Sequence, residues 1–375
     1  MKLLRVTAKN FKNCKDDYTI DLTSKANKTE ADKLYELQEI APNLFTYNTM
    51  AFVGKNASGK TTAIDLLDCC YSILEEFQLD GNRYSYDNVE LEIYFHHNES
   101  IYKYTTILKN SEINSRKAEF TEEHIYKKAY YPSKVNKIFS DVDFEEINDF
   151  TELPEGTSKI FFILKKKQVY NIYYDSQDEN VLAYPILFGY IESYKISISL
   201  FYSILSIFDE NIKELTLTED KNYKINYNGR IMIKSASELM WFLSSGTTKG
   251  MCLYTLIAIS LIEGIDLLVD EVENHFHKTL VENIISLYKD PAINKHNATL
   301  IFTTHYCEVL DLFGRKDNIW ISKSDKQVYL QNMYDVYKEN NIRSELLKSR
   351  QFYNNTFDTA VNYEALMNLK RELMK

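Results

Sequence analysis

The sequence predicts an α/β fold with a mostly parallel sheet. Two observations carry that prediction. An apolar run at residues 45–53 leads directly into Gly54-Lys55-Asn56-Ala57-Ser58-Gly59-Lys60-Thr61, and an apolar stretch of helical period follows at 63–77. From residue 247 onward, helical and strand-like segments alternate, and the first of those strands ends in two carboxylates, Asp270 and Glu271.

The elements follow in chain order. Residues 3–11 alternate as a first strand, and the polar stretch 23–33 reads as a loop or an exposed helix start. Residues 45–53 form one buried strand and 63–77 a helix. Residues 89–95 and 101–108 pair as strands around a polar turn at 96–100. Residues 110–209 are rich in Lys, Tyr, Glu and Ile with weak periodicity, and they read mainly as helices of a subdomain inserted in the core. A second hairpin at 223–234 centres on the turn pair Asn228-Gly229. Strands are expected at 265–269, 298–303, 319–321 and 328–330, with a charged helical tail from 341. The expected organisation is an N-terminal part of the core at 1–109, a mainly helical insertion or lid at 110–211, the C-terminal part of the core at 212–330, and a helical tail at 331–375.

Composition narrows the class. The chain has 375 residues, 45% hydrophobic and 14% aromatic, enough for a large core and incompatible with disorder as the dominant state. A formal charge of −10 argues against a surface coated for nucleic acid on all sides and leaves room for a local DNA contact. The short basic runs Lys127-Lys128 and Lys165-Lys166-Lys167 are candidates for one, with a solvated face as the default reading. The five cysteines form no CxxC pair, which fits free thiols in a reducing compartment. The N-terminus lacks an apolar leader, and residues 251–262, the most apolar stretch, are too few to span a bilayer. A cytoplasmic protein is expected.

The segment Gly54 to Thr61 satisfies G-x-x-x-x-G-K-[ST] in the context this chemistry requires, strand before and helix after. Glycines let backbone N–H groups curl around phosphates, and the helix aims its positive end at them. Gly54, Asn56, Ser58, Gly59, Lys60, Thr61 and Thr62 are the candidate nucleotide contacts. Lys60 is expected to reach the β- and γ-phosphates, and the Thr61 hydroxyl to ligate Mg²⁺. Asp270, at the C-terminal edge of its strand, is expected to hold Mg²⁺ through water, with Glu271 as the base that orients the attacking water. His305 follows the next strand and is expected on the γ-phosphate side. Ser244-Ser245-Gly246-Thr247 combines hydroxyls, a glycine and a helix start, a second anion-binding composition built on Ser245 and Gly246. Asp141-Val142-Asp143 reads as a solvated acidic loop. The spacing of Glu273, His275 and His277 suits a helix start better than a metal site.

These elements, in this order, resemble the ABC-class ATPases, and within them the SMC/RecF/OLD branch. Val6-Thr7-Ala8-Lys9-Asn10-Phe11-Lys12-Asn13 is similar to that branch's first strand and turn. Glu273-Asn274-His275-Phe276-His277 is similar to the sequel of the acidic strand in OLD-like ATPases, and Ser244 to Lys249 to their signature. Asn341-Ile342-Arg343 and Arg350-Gln351-Phe352-Tyr353 loosely resemble the tail of stand-alone, AAA-type OLD-like ATPases of two-gene phage-defence and abortive-infection systems.

The resemblance implies a P-loop NTPase fold, an ABC-type ATPase head with an antiparallel β subsheet. It implies ATP and Mg as cofactors and ATP hydrolysis as the activity, with Lys60, Glu271 and His305 as catalytic residues. It implies a homodimer or higher homo-oligomer, each ATP held between Lys60 of one chain and Ser245/Gly246 of the other. The expected role is a sensor or scaffold that controls a separate effector protein, a nuclease or toxin, in antiviral defence. The alternative is a RecF-like DNA-repair clamp. No heptad run separates Gly54 from Gly246, so long arms are not expected, and the stretch after His305 is too short for a Toprim nuclease domain. The lid glutamine is unassigned, with Gln168 and Gln177 as candidates.

Overall fold

A computed structural model describes residues 1–111, 117–175, 183–274, 276–342, 346–357 and 363–374. The chain divides into two compact units, one built from Met1–Gln168 and Thr303–Lys375, the other from Val169–Phe302.

The first unit opens with β1 (Lys2–Lys9) and β2 (Tyr18–Asp21), then α1 (Glu30–Tyr35), the hairpin β3 (Leu37–Ala41) and β4 (Leu44–Tyr47), and β5 (Thr49–Val53). Next come α2 (Lys60–Glu76), β6 (Asp87–His97), β7 (Ser100–Asn110), β8 (Ala118–Ala129), β9 (Glu145–Glu146) and the short α3 (Phe161–Leu164). β2-β1-β6-β7-β8-β9 form an antiparallel sheet in that order. In β1 the alternation breaks where Leu3 and Leu4 are both buried, and a register shift against β6 between Leu3 and Arg5 absorbs the extra residue. The β6–β7 turn is Asn98-Glu99, both at positive φ, the conformation whose twist suits a two-residue hairpin. One core cluster joins Leu4, Leu44, Tyr94, Ile101 and Ile138.

Two sequence expectations differ from the structure here. Residues 45–53 are not one strand: the chain breaks at Asn48, whose Nδ2 donates to Tyr35 O, so β4 pairs with β3 and β5 enters another sheet. The segment 110–211 is not mainly helical in its first part, because β8 pairs with β7 along nearly its whole length. Its Glu and Lys residues favour helix as isolated residues, but cross-strand pairing decides. Helices occupy the second part of that segment.

The second unit contains β10 (Asn171–Asp175), α4 (Ala183–Ser193), α5 (Ile198–Phe208), β11 (Ile212–Leu217), β12 (Tyr223–Tyr227), β13 (Arg230–Lys234), α6 (Ala236–Phe242), α7 (Ser245–Glu263), β14 (Asp266–Asp270), α8 (Lys278–Lys289) and the start of β15 (Leu300–Thr304). β10, β14 and β15 run parallel. β11-β12-β13 form a separate antiparallel sheet, and Asn228-Gly229 turns its second hairpin with both residues at positive φ, as the sequence predicts. α7 is buried around most of its circumference, which accounts for the apolar run 251–262. Among the described residues, no helix is long and apolar enough to cross a membrane.

β15 carries the chain back into the first unit. There β16 (Ile319–Ser324) lies parallel to β5 and antiparallel to β17 (Val328–Asn332). α9 (Met333–Glu339), α10 (Lys348–Tyr353) and α11 (Tyr363–Leu373) complete it. α10 buries Lys348, Ser349, Gln351 and Phe352, and Ser349 donates from both N and Oγ to the Asp311 carboxylate.

Candidate functional site

The first unit holds the phosphate-loop motif between β5, buried along its length, and α2. The loop is shaped from outside by β16 and β17. A Cβ on Gly54 would lie 2.4 Å from the carbonyl oxygen of Ser322, and Ser322 Oγ donates to Ser58 O at 2.7 Å. Gly59 sits at φ 91°, in the left-handed region, with Val328 Cγ1 2.2 Å from where a Cβ would be. Ser322 and Val328 are contacts the sequence reading missed, since nothing in their neighbourhood marks them as loop supports.

The residues fit an anion. α2 starts at Lys60 with no side-chain cap and no acidic residue in its first turn, so no local carboxylate competes for its N-terminal N–H groups. Ser58 Oγ is buried in the loop without a hydrogen-bond partner. Lys60 Nζ donates to Gly54 O and Lys55 O at 3.2 and 3.3 Å, folded back over the loop it is expected to serve. Asn56 and Thr61 are exposed, and Thr62 is half-buried. His305, on the residue after β15, places Nδ1 3.4 Å from Lys60 Nζ. The structure thus brings together Lys60 and His305, 245 positions apart in sequence.

The second unit holds the remaining predicted residues. Asp270 is buried at the end of β14, in register with Asp175 on β10. Asp175 is a second acid that the sequence reading did not single out. Glu271 turns the chain off the strand at φ 50°, a conformation uncommon for a non-glycine residue, and Asn274 N donates to its carbonyl at 2.9 Å. His277 is the N-cap of α8, its Nδ1 accepting from Thr279 N at 3.3 Å, so it is a helix start. His275 lies outside the described residues. Among those described, no three His, Cys, Asp or Glu side chains form a metal-binding group. Ser244 caps α7, accepting from Thr247 N at 3.0 Å, and Ser245 and Gly246 occupy the first turn, which carries no acidic residue. Ser245 is exposed and Gly246 half-buried. Gln168 is exposed, and Gln177 and Arg343 lie outside the described residues. Lys103 and Lys134 pair with Asp141 and Asp143, in keeping with a surface acidic loop.

Residues 50–311 match the family described as "AAA domain, putative AbiEii toxin, Type IV TA system". The chain belongs to this AAA family. The match spans both units, including the phosphate loop, the Ser244 to Thr247 turn, the end of β14 and His305. The chain therefore carries an AAA-type ATPase domain with a P-loop NTPase fold, and it combines parallel and antiparallel sheets. No curated protein matches it. Among solved structures, it is similar to an SMC head domain from Thermotoga maritima, at 15% identity and a TM-score of 0.41 over 88% of this chain and 99% of that one. It is also similar to an SMC head bound to the C-terminal winged-helix domain of ScpA, at 13% identity and a TM-score of 0.45 over 90% and 100%.

Proposed function

We propose that this family member is a Mg²⁺-dependent ATPase that dimerises head to tail around ATP and controls a separate effector protein in prokaryotic antiviral defence. The observation that carries the nucleotide reading is the complete phosphate loop on an uncapped helix, with Lys60 Nζ 3.4 Å from His305 Nδ1.

On this reading Lys60 exchanges its carbonyl partners in the loop for the β- and γ-phosphates, and the N–H groups of Gly59 to Thr62 cradle them. Thr61 and Asp270 are the residues that would hold Mg²⁺, which when bound neutralises phosphate charge. Glu271 accepts a proton from the attacking water and His305 hydrogen-bonds the γ-phosphate. Ser245 and Gly246 meet the nucleotide of the partner subunit; the exposure of Ser245 on a first turn free of acidic residues supports this. Residues 110–211 act as a lid and 331–375 as a partner-facing tail. The family's description as a toxin in a Type IV TA system favours a chain that works with a second protein.

The test is the Glu271→Gln protein. With ATP its mass by light scattering should double, and turnover should fall by ~10²–10⁴-fold. Tagged in its native host, it should retain a stoichiometric small protein that Lys60→Ala releases. A mass unmoved by ATP would remove the dimer reading; recovery of DNA and recombination proteins instead would remove the effector reading.

A further inference from the structure

The two basic runs, Lys127-Lys128 and Lys165-Lys166-Lys167, lie 37 positions apart in sequence, yet part of each meets in one place. Lys127, Lys165 and Lys166 line a single open bowl of about 570 Å³, together with His97, Tyr102 and Phe162. No carboxylate lines it, in a chain of formal charge −10. The acids are gathered next door: a separate concavity of about 940 Å³ carries Glu119, Glu123, Glu146, Glu152 and Glu155.

The bowl follows from sheet register. Phe95, Tyr102 and Lys127 are successive cross-strand partners on β6, β7 and β8. The Phe95 and Tyr102 rings stack at 5.1 Å, and Lys127 Nζ lies 5.8 Å from the Tyr102 ring centre. Glu145 is the next partner across from Lys127, but no ion pair joins them among the described residues. From the other side, α3 supplies half-buried Phe162 and ends at Lys165, whose left-handed backbone turns the chain so that Lys165 and Lys166 are both exposed. Lys167 is spent on Glu76. No described carboxylate pairs with Lys127, Lys165 or Lys166. Burial, then the N-terminal ammonium and His96, hold His97 below the ordinary imidazole range, so near neutral pH the positive charge of the bowl is lysine alone.

Three lysines without carboxylate partners match phosphates, and ring edges and faces between them match bases. Sites of roughly 300–1,000 Å³ take ligands of small-molecule size, so the bowl admits nucleotide units and not a duplex. We propose that it binds a short stretch of single-stranded nucleic acid, with Lys127, Lys165 and Lys166 on the phosphates and Phe162 and His97 against the bases. This goes beyond the ATPase reading and does not depend on it.

The experiment is fluorescence anisotropy with a labelled single-stranded oligonucleotide across a salt series. Three phosphate contacts at about 0.7 each predict a log–log salt slope near about −2. The triple variant Lys127→Ala/Lys165→Ala/Lys166→Ala should bind about tenfold or more weakly, with a slope near zero, while its melting temperature stays at the wild-type value. Lys60→Ala should leave binding intact, which separates the bowl from the phosphate loop. Phe162→Ala should weaken binding without changing the slope. The proposal is overturned if the triple variant binds as the wild type does, if Lys60→Ala abolishes binding, or if inorganic triphosphate or duplex competes as well as the single strand.

Discussion

Lys60 Nζ lies 3.4 Å from His305 Nδ1. An ammonium has only donors, so Nδ1 must be the acceptor, and in the neutral ring the proton sits on Nε2. The phosphate-loop lysine is thus held between two loop carbonyls and the histidine that follows β15. On the proposed reading, an incoming γ-phosphate would change the environment of both residues at once.

His305→Ala should therefore separate binding from turnover. The loop amides and Lys60 remain, so the Kd for ATP should stay within about threefold, while kcat falls by ~10²-fold. Equilibrium binding of a fluorescent ATP analogue and steady-state phosphate release measure the two quantities. A loss confined to affinity would assign His305 to holding Lys60 and not to the γ-phosphate. Lys60→Ala should act on affinity, weakening ATP about ten- to hundredfold through the lost charge-assisted hydrogen bonds.

Gly59→Ala tests the loop's shape. At φ 91° an L-residue pays roughly 1–2 kcal/mol, and the new methyl would overlap Val328. Thermal melts should show the loss, and ATP affinity should fall because the first N–H groups of α2 are displaced. Adding Val328→Ala relieves the overlap and leaves the backbone strain, so the double variant should recover stability only in part. Full recovery would mean that the positive φ costs nothing here.

The loop, its flanking strand and helix, and the Asn228-Gly229 hairpin were legible because their chemistry fixes residue type and spacing together. His277 was legible as a helix start for the same reason. β8 was not: AEFTEEHIYKKA carries charges on both faces, exposed Glu122 and Lys127 beside half-buried Glu123 and Lys128, and gains its strand character from pairing with β7, which no local window contains. The break at Asn48 depends on a bond to Tyr35 O, and the support of Gly54 and Gly59 by Ser322 and Val328 reaches across more than 260 positions. Such contacts are products of the assembled sheet and leave no periodicity behind.

Asp317 sets the acid limit of the first unit. Its carboxylate takes a bidentate bond from buried Arg315 at 2.8 and 2.6 Å and accepts the N–H groups of Lys25 and Ala26 at 2.9 Å. Burial works to raise its pKa, but the Arg315 hydrogen bond and charge and the two backbone donors outweigh it and hold it below the ordinary carboxylate range. A depressed folded pKa means the unfolded chain binds the proton first as pH falls. The contribution is full above the unfolded value near about 3.9 and is lost as pH drops through the folded one. Asp317→Asn should cost about 3 kcal/mol or more at pH 7, because among the described residues Arg315 keeps only Asp32 as an ion-pair partner. Denaturant melts from pH 7 to pH 3 should show the difference between variant and wild type shrinking toward the acid end. A gap that stayed constant would assign the loss to geometry alone. The adjacent Asn318 donates to Thr49 O at 3.1 Å, so loosening this corner should also reach β5 and the loop it feeds.

Gly250 and Phe208 make a matching test in the second unit. A Cβ on Gly250 would lie 2.2 Å from Phe208 Cε1, so α7 crosses α5 at this point only because position 250 carries no side chain. The Phe208 ring cannot simply step aside, since Tyr254 and Phe276 lie 5.2 and 6.2 Å from it. Alanine favours a helix over glycine by about 1 kcal/mol, so an unhindered site would be stabilised by Gly250→Ala. Here overpacking should reverse the sign and cost about 1–3 kcal/mol. Phe208→Ala alone should also destabilise, by loss of the ring. In the double variant the methyl meets no ring, and the helix gain returns. The coupling energy from the four melts should therefore be favourable by at least about 1 kcal/mol, well above the additivity error for distant sites. Additive losses would place the two residues out of contact. Because Gly250 lies little more than a turn beyond Ser245 and Gly246, Gly250→Ala should also lower ATP-dependent dimerisation of the Glu271→Gln protein, and the double variant should restore it.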